Sequence, residues 1–163
     1  MTAARVHHSA LRVRDIDASL RFYVDGVGLS VLMDHRFSGD WPTLFAVGTT
    51  ELRSVFLGDP AVPDAGIVEL VAFAGEPPGP PAGDGAAGFF LLSLFVDLER
   101  VLARLAALGF GPARRIEQPA GDRRVAMATL RDPDDVLVEL IDAGASSPGA
   151  PRGEGAGGPG RAG

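Results

Sequence analysis

The chain has 163 residues, enough for one domain or two small modules on a shared core, with an ordinary apolar fraction of 46%. Its net charge is −6 and all 15 basic residues are arginine, without a basic run, which argues against nucleic-acid binding. Zero cysteines exclude disulfides, thiolate metal ligands and a cysteine nucleophile. Together with the lack of any apolar run near the ~18–20 residues of a membrane span, or of a signal-peptide core, this predicts a cytoplasmic protein without a membrane partner.

Residues 5–13 (Arg-Val-His-His-Ser-Ala-Leu-Arg-Val) read as a first strand. Asp15 is placed to cap a helix whose apolar stripe is Ile16, Leu20, Tyr23 and Val27, closed by Gly26 and Gly28. Leu29 to Phe37 reads as a second strand, broken by Ser38-Gly-Asp-Trp-Pro42, and residues 43–50 read as either a helical turn or a loop. Glu51 to Leu57 and Gly66 to Phe73 are the third and fourth strands, rich in β-branched and aromatic residues. The run 74–88 is a Pro/Gly linker. The pattern then restarts: an apolar strand from Phe89 to Val96, a helix capped by Asp97 with the stripe Leu98, Val101, Leu105 and Leu108, and strands near 113–118, 123–130 and 136–142. Residues 143–163 are Gly, Pro, Ala and Ser with almost nothing to bury, and are expected to be disordered.

The chain is therefore organised as a first module over 1–73, the linker, a second module over 89–142 and a tail. Each module is β-α-β-β-β, an α+β arrangement. The helix caps Asp15 and Asp97 lie 82 residues apart, whereas the strands Val-Glu69-Leu-Val and Val-Glu139-Leu-Ile lie 70 apart. The first module thus carries about 12 extra residues between helix and last strand, most easily placed around Ser38–Thr50.

Glu69 and Glu139 stand out because each is a lone carboxylate in an apolar strand. Burying an unpaired carboxylate costs several kcal/mol, so each should be paired, metal-bound or in a polar cavity. His8, on the first strand, could share that cavity. Imidazole with two carboxylates suits a divalent metal such as Fe, Mn, Co, Ni, Zn or Mg. Asp40, Trp41, Arg53 and Gln118 are further candidates for lining residues, and Phe89, Phe90 and Phe95 for core or pocket wall.

His8-Ser-Ala-Leu-Arg-Val, with Arg14-Asp-Ile-Asp-Ala-Ser-Leu-Arg-Phe-Tyr23 and Gly26-Val-Gly-Leu29, resembles the opening of vicinal oxygen chelate proteins, the glyoxalase, bleomycin-resistance and extradiol dioxygenase group. Asp132-Pro-Asp-Asp-Val-Leu-Val-Glu-Leu140 resembles the closing motif of that superfamily. The resemblance spans residues 5–142 and implies two tandem βαβββ modules whose eight strands form an open, barrel-like cup around a metal and a small molecule. It also implies pairing into a homodimer. Its metal-ligand positions fall on His8, Glu69, Phe90 and Glu139, and Phe90 cannot bind a metal. A site with two histidines would need His7, on the opposite strand face, or His35 on the second strand.

Three readings follow. In the first, His8, Glu69 and Glu139 hold a divalent metal and the protein is an isomerase, epimerase, lyase or oxygenase acting on a carbonyl or vicinal-oxygen substrate. Glu69 and Glu139 would be the catalytic groups, with Phe90, Arg53, Trp41 and His35 in the substrate pocket. In the second, no metal is held and the cup binds a small molecule in the manner of a bleomycin-resistance protein, with the glutamates as acid/base groups or salt-bridged to Arg12 or Arg53. In the third, the glutamates are structural and the chain is a scaffold. The first two require His8, Glu69 and Glu139 to converge.

Overall fold

The computed structural model describes residues 4–80, 87–121 and 123–144. Much of the linker and nearly all of the tail, including its expected disorder, lie outside the described residues. Strand β1 (His8–Arg12) is followed by α1 (Ile16–Leu20), which runs on without a break into a wider π-helical segment, Arg21–Val27. Then come β2 (Ser30–Ser38), a short helix α2 (Trp41–Phe45), β3 (Glu51–Gly58) and β4 (Ile67–Phe73). The second module contributes β5 (Leu92–Val96), α3 (Leu98–Ala107), β6 (Arg114–Ala120), β7 (Arg123–Arg131) and β8 (Leu137–Asp142).

Each module forms its own four-stranded sheet, in the orders β1-β4-β3-β2 and β5-β8-β7-β6. In both, the first and last strands run parallel and the remaining neighbours antiparallel. This is the tandem βαβββ architecture, with eight strands left open rather than hydrogen-bonded into a closed barrel. Strand alternation divides each sheet into two faces. One face carries Leu11, Val55, Leu57, Val68 and Leu70 from the first sheet and Leu92, Ala128, Leu130, Val138 and Leu140 from the second, and these join the helices in one core. The other face of each sheet is open, and the functional candidates lie there.

The helices start where a carboxylate can cap them. Asp15 accepts from the backbone N–H groups of Asp17 and Ala18 at 2.9 and 3.1 Å, and Asp97 from Arg100 N–H at 3.3 Å. The first helix widens at its end, with Gly28 N–H reaching Tyr23 O at 3.0 Å, and stops where Gly28 takes φ 102°, a left-handed conformation that suits glycine. Just before it, Gly26 lets the second helix approach: a Cβ there would lie 2.4 Å from Leu105 Cδ2. Arg104 of α3 then donates to the carbonyls of Gly26 and Val27 at 2.9 and 2.7 Å, satisfying helix-end acceptors across the module boundary.

A buried polar network adds a second tie. The hydroxyl of Tyr23, itself fully buried, donates to Asp132 Oδ2 at 2.8 Å, while Asp132 Oδ1 accepts from the N–H groups of Asp134 and Val136 at 2.8 Å each. Asp134 in turn accepts from Arg14 through backbone and guanidinium, both at 3.1 Å. Burial pushes the Tyr23 hydroxyl well above its usual range, with the Asp132 charge acting the same way. Burial also pushes the Asp132 carboxyl up, against the hydrogen bonds that favour its charged form.

The expected segments differ from the structure in two places. Phe89–Leu91 precede β5 rather than belonging to it, and Phe89 and Phe90 are exposed rather than core. Residues 41–45, which run from the expected break into the stretch read as a helical turn or a loop, form the helix α2.

Candidate functional site

Parallel pairing of β1 with β4 sets Ala10 beside Glu69, so His8, two residues earlier, projects from the same open face. His8 Nε2 lies 3.1 Å from Glu69 Oε2. On the next strand, Phe56 pairs with Glu69 and Ser54 with Val71, which places the Ser54 hydroxyl diagonally against the same carboxylate. Ser54 is buried and donates to Glu69 Oε1 at 2.5 Å. Both oxygens of Glu69 are thus engaged, the condition under which a carboxylate can stand in an apolar strand. His8 Nδ1 faces His7 Nδ1 at 2.8 Å, so one ring donates and the other accepts, and the His8 ring lies against Phe56.

These groups stand in a cavity of about 590 Å³ over the open face of the first sheet. Cavities of roughly 300–1,000 Å³, mostly apolar with a few convergent polar groups, are the usual form of a small-molecule site. The roof comes from the extra residues of the first module. Asp40 caps α2 by accepting from Thr43 N–H at 3.3 Å, and Trp41 and Phe45, one turn apart, stack with ring centres 5.7 Å apart. Phe45 also meets Phe73 of β4 edge-on at 6.0 Å. Glu76 holds this roof down: it accepts from Gly48 N–H beyond α2 and pairs with Arg12 at 3.6 Å. Arg12 itself lies over the Phe73 ring, 5.0 Å from its centre.

Of the residues expected at the site, the structure brings together His8, Glu69 and Trp41, which all line this cavity. It does not bring Glu139 to them. Glu139 lies on the open face of the second sheet, where the Ser93 hydroxyl donates to its Oε2 at 2.7 Å, and it does not line the cavity. Arg53 is a correction with a simple cause. It lies between Leu52 and Ser54, so alternation turns it to the other face of β3, where it bonds Asp34 at 2.7 and 2.9 Å and Asp17 at 3.3 Å. Neither glutamate is its partner. His35 sits opposite Ser54 but near the sheet edge, its ring packed on Phe37 at 4.7 Å, and it borders a polar hollow with Asp17, Asp34 and Arg53 rather than the cavity. Gln118 belongs to β6 of the second sheet, and Asp40 serves as the α2 cap.

Phe90 is the second correction. Sheet register pairs Ala10 with Glu69 and Ser93 with Glu139, so the counterpart of His8 is Leu91, not Phe90. The helix caps do not line the two up because the first module has one more residue between the partner of its glutamate and its cap, Ala10 to Asp15 against Ser93 to Asp97. Phe90 is 76% exposed and lines no described cavity. The position that the resemblance assigns to a fourth ligand is therefore aliphatic.

The donor set can now be tested against a metal. Among the described residues no three His, Asp or Glu side chains come together as a metal site. His8 and Glu69 supply two ligands, and a structural or catalytic zinc-type site takes three or four from protein. One chain alone does not fit the metal site that the resemblance implies.

Sequence reasoning missed Ser54, Phe45 and Glu76. Ser54 left a trace: it is the polar residue in the inward series Leu52, Ser54, Phe56. Phe45 and Glu76 left none, because their roles depend on how the roof folds back across β4.

Comparison with known proteins agrees with this architecture. The model of the Glyoxalase/Bleomycin resistance protein/Dioxygenase superfamily matches residues 5–140. A lactoylglutathione lyase-like protein, terB, of Aspergillus terreus is 36% identical over 145 residues, covering 83% of this chain and 74% of its own. Among solved structures, a glyoxalase family protein from Bacillus cereus superposes with a TM-score of 0.70 at 18% identity, covering 87% of this chain and 95% of that one. The trypanothione-dependent glyoxalase I of Leishmania major gives 0.57 at 23% identity, covering 86% of this chain and 87% of that one. These two likenesses concern the fold alone. Family model, terB and topology converge: the chain belongs to the Glyoxalase/Bleomycin resistance protein/Dioxygenase superfamily.

Proposed function

We propose that the protein is an isomerase- or lyase-type enzyme acting on a small carbonyl compound bound in the first-sheet cavity, with His8 and Glu69 moving a proton next to the carbonyl. The observation that carries this reading is the His8–Glu69 contact of 3.1 Å inside the roofed cavity, with Ser54 fixing the carboxylate from the other side. Glu69 takes the proton from the carbon beside the carbonyl, and the electron pair moves into the carbon–carbon bond as the carbonyl oxygen becomes an enolate. As Glu69 takes up that proton its hold on the His8 Nε2–H weakens, and this N–H turns to donate to that oxygen. Return of the proton to the same carbon gives the epimer, and in an α-hydroxyketone its return to the former carbonyl carbon, with the hydroxyl proton passing to the enolate oxygen, gives the isomer; positioned acid–base groups of this kind contribute about 10²–10⁴-fold. The test is deuterium incorporation at the carbon beside the carbonyl, followed by NMR in D₂O over a panel of α-hydroxyketones, cyclic ketones and hemithioacetals. Protein-dependent incorporation that falls about 100-fold or more in Glu69→Gln is expected. No incorporation in any panel member would sink the chemistry, and retained ligand binding would then favour a metal-free binding protein.

A second reading draws on the other sheet. The Ser93–Glu139 pair stands on an open face beside exposed Phe95 and Ile116, the surface a second copy could cover. In such a homodimer, Glu139 of one copy would join His8 and Glu69 of the other around a divalent metal. Gel filtration with elemental analysis separates the readings: a dimer with near-stoichiometric metal that is lost in Glu139→Gln establishes the second, and a metal-free monomer after reconstitution removes it.

A further inference from the structure

We propose that the cavity is selective for a neutral, ring-containing carbonyl compound, with two or more fused rings seated under the α2 roof, and not for a glutathione adduct. This rests on the reading above of the cavity as the substrate site. Its polar groups His8, Ser54 and Glu69 form one chain of contacts across β1, β4 and β3. Arg12 stands level with Ser54 across Val71, its guanidinium turned onto Phe73 and Glu76. Trp41, Phe45 and Phe73, packed on one another, give the cavity an aromatic lining. Such surface suits another ring system, offset-stacked or edge-on.

Charge points the same way. Glutathione adducts carry carboxylates and are net anionic. The cavity already holds the Glu69 carboxylate, and Arg12, the arginine among its lining residues, is engaged by the backbone oxygen of Glu76 at 2.9 Å and by the Glu76 carboxylate. An anionic peptide would meet Glu69 without a free cation to offset its desolvation. A neutral ring compound faces no such cost, and its carbonyl can be presented to His8 and Glu69 while the rings lie under the roof. The extra residues of the first module therefore do more than close the sheet: they set the ligand class.

The test uses 2-acetylnaphthalene as probe, in equilibrium dialysis against the full chain, with S-lactoylglutathione as competitor. Phe45 and Phe95 are matched for this purpose, 51% and 50% exposed on the first and second modules respectively. The ketone is expected to bind at one per chain. Affinity should fall at least 10-fold in Phe45→Ser and stay unchanged in Phe95→Ser, and a molar excess of S-lactoylglutathione should not displace the probe. Equal loss in both variants, no saturable binding, or displacement by S-lactoylglutathione would each overturn the proposal. Binding without deuterium incorporation would remove the proton chemistry and keep the ligand class. Incorporation into a glutathione hemithioacetal without ketone binding would do the reverse.

Discussion

The two open sheet faces share one plan and differ in what has been added to it. Each has a glutamate in the strand that runs parallel to the first strand of its module, and each glutamate accepts from a serine: Ser54 for Glu69, Ser93 for Glu139. On the first face a histidine stands beside the glutamate and an inserted helix roofs both. On the second, Leu91 occupies the histidine position, only two residues separate β6 from β7 where the first module carries α2 between β2 and β3, and Phe95 and Ile116 remain exposed. A half-buried, paired carboxylate is thus not by itself a site. What turns it into one is a second titratable group in contact and a lined cavity around both.

That contrast is broken most directly by exchanging the two glutamates' fates. Glu69→Gln keeps the shape and the Ser54 hydrogen bond but removes the base, so turnover should fall about 10²–10⁴-fold. Glu139→Gln should leave turnover within about two- to threefold of the parent, since Glu139 does not line the cavity. Steady-state rates on whichever ketone exchanges deuterium decide the matter. Equal losses in both variants would mean that the second face belongs to the working site, as the dimer reading requires.

The duplication, the helix caps and the prominence of Glu69 and Glu139 were all legible in the sequence, because each depends on local pattern: an N-cap before an apolar stripe, or a lone charge in a β-branched run. His8 was legible only through its strand position. The departures have a different origin. Arg53 lies outside the cup because Leu52 and Ser54 turn toward the cavity and alternation sends the residue between them to the other face. Leu91 rather than Phe90 holds the fourth ligand position because the second module is one residue shorter between the partner of its glutamate and its helix cap. The separation of Glu139 from His8 could not be read at all, since the arrangement of the two sheets depends on the Gly26–Leu105 approach and the Arg104 and Tyr23 hydrogen bonds between modules.

The next largest effect concerns that junction. Tyr23→Phe removes the hydroxyl that donates to Asp132 and leaves a buried carboxylate with one donor fewer. Hydrogen bonds to charged groups are worth ~1.5–3 kcal/mol, so thermal unfolding near neutral pH should shift down by roughly 4–8 °C. The sign of the pH effect follows from Asp132, whose carboxyl is raised by burial. A raised carboxyl contributes stability below its unfolded value, lost as pH rises through the folded one. The deficit of Tyr23→Phe should therefore be greatest at neutral pH and shrink on acidification, as Asp132 takes up a proton in both proteins. A deficit independent of pH would assign the loss to packing of the ring, and both modules should still unfold together.

The smallest effect contrasts surface ion pairs on the two modules. Arg53, 24% exposed, forks onto Asp34 and holds its carboxyl below the usual range, chiefly through their hydrogen bonds. Arg115 does the same to Glu99, but there both partners are open to solvent. A depressed carboxyl contributes stability that is present above its unfolded value, near pH ~4, and is lost as pH falls through the folded value. Because Asp34 is itself 39% exposed, solvent screening limits the pair to a few tenths up to about 1 kcal/mol. Urea unfolding of Asp34→Asn should show that loss at pH 7 and none once the pH is below both values, and 1 M salt should reduce it. Glu99→Gln should show a smaller loss with stronger salt dependence. Were the two variants indistinguishable, the bidentate geometry of Arg53 would add nothing over an open pair, and the first module's edge would owe its order to the strand pairing of β2 with β3 alone.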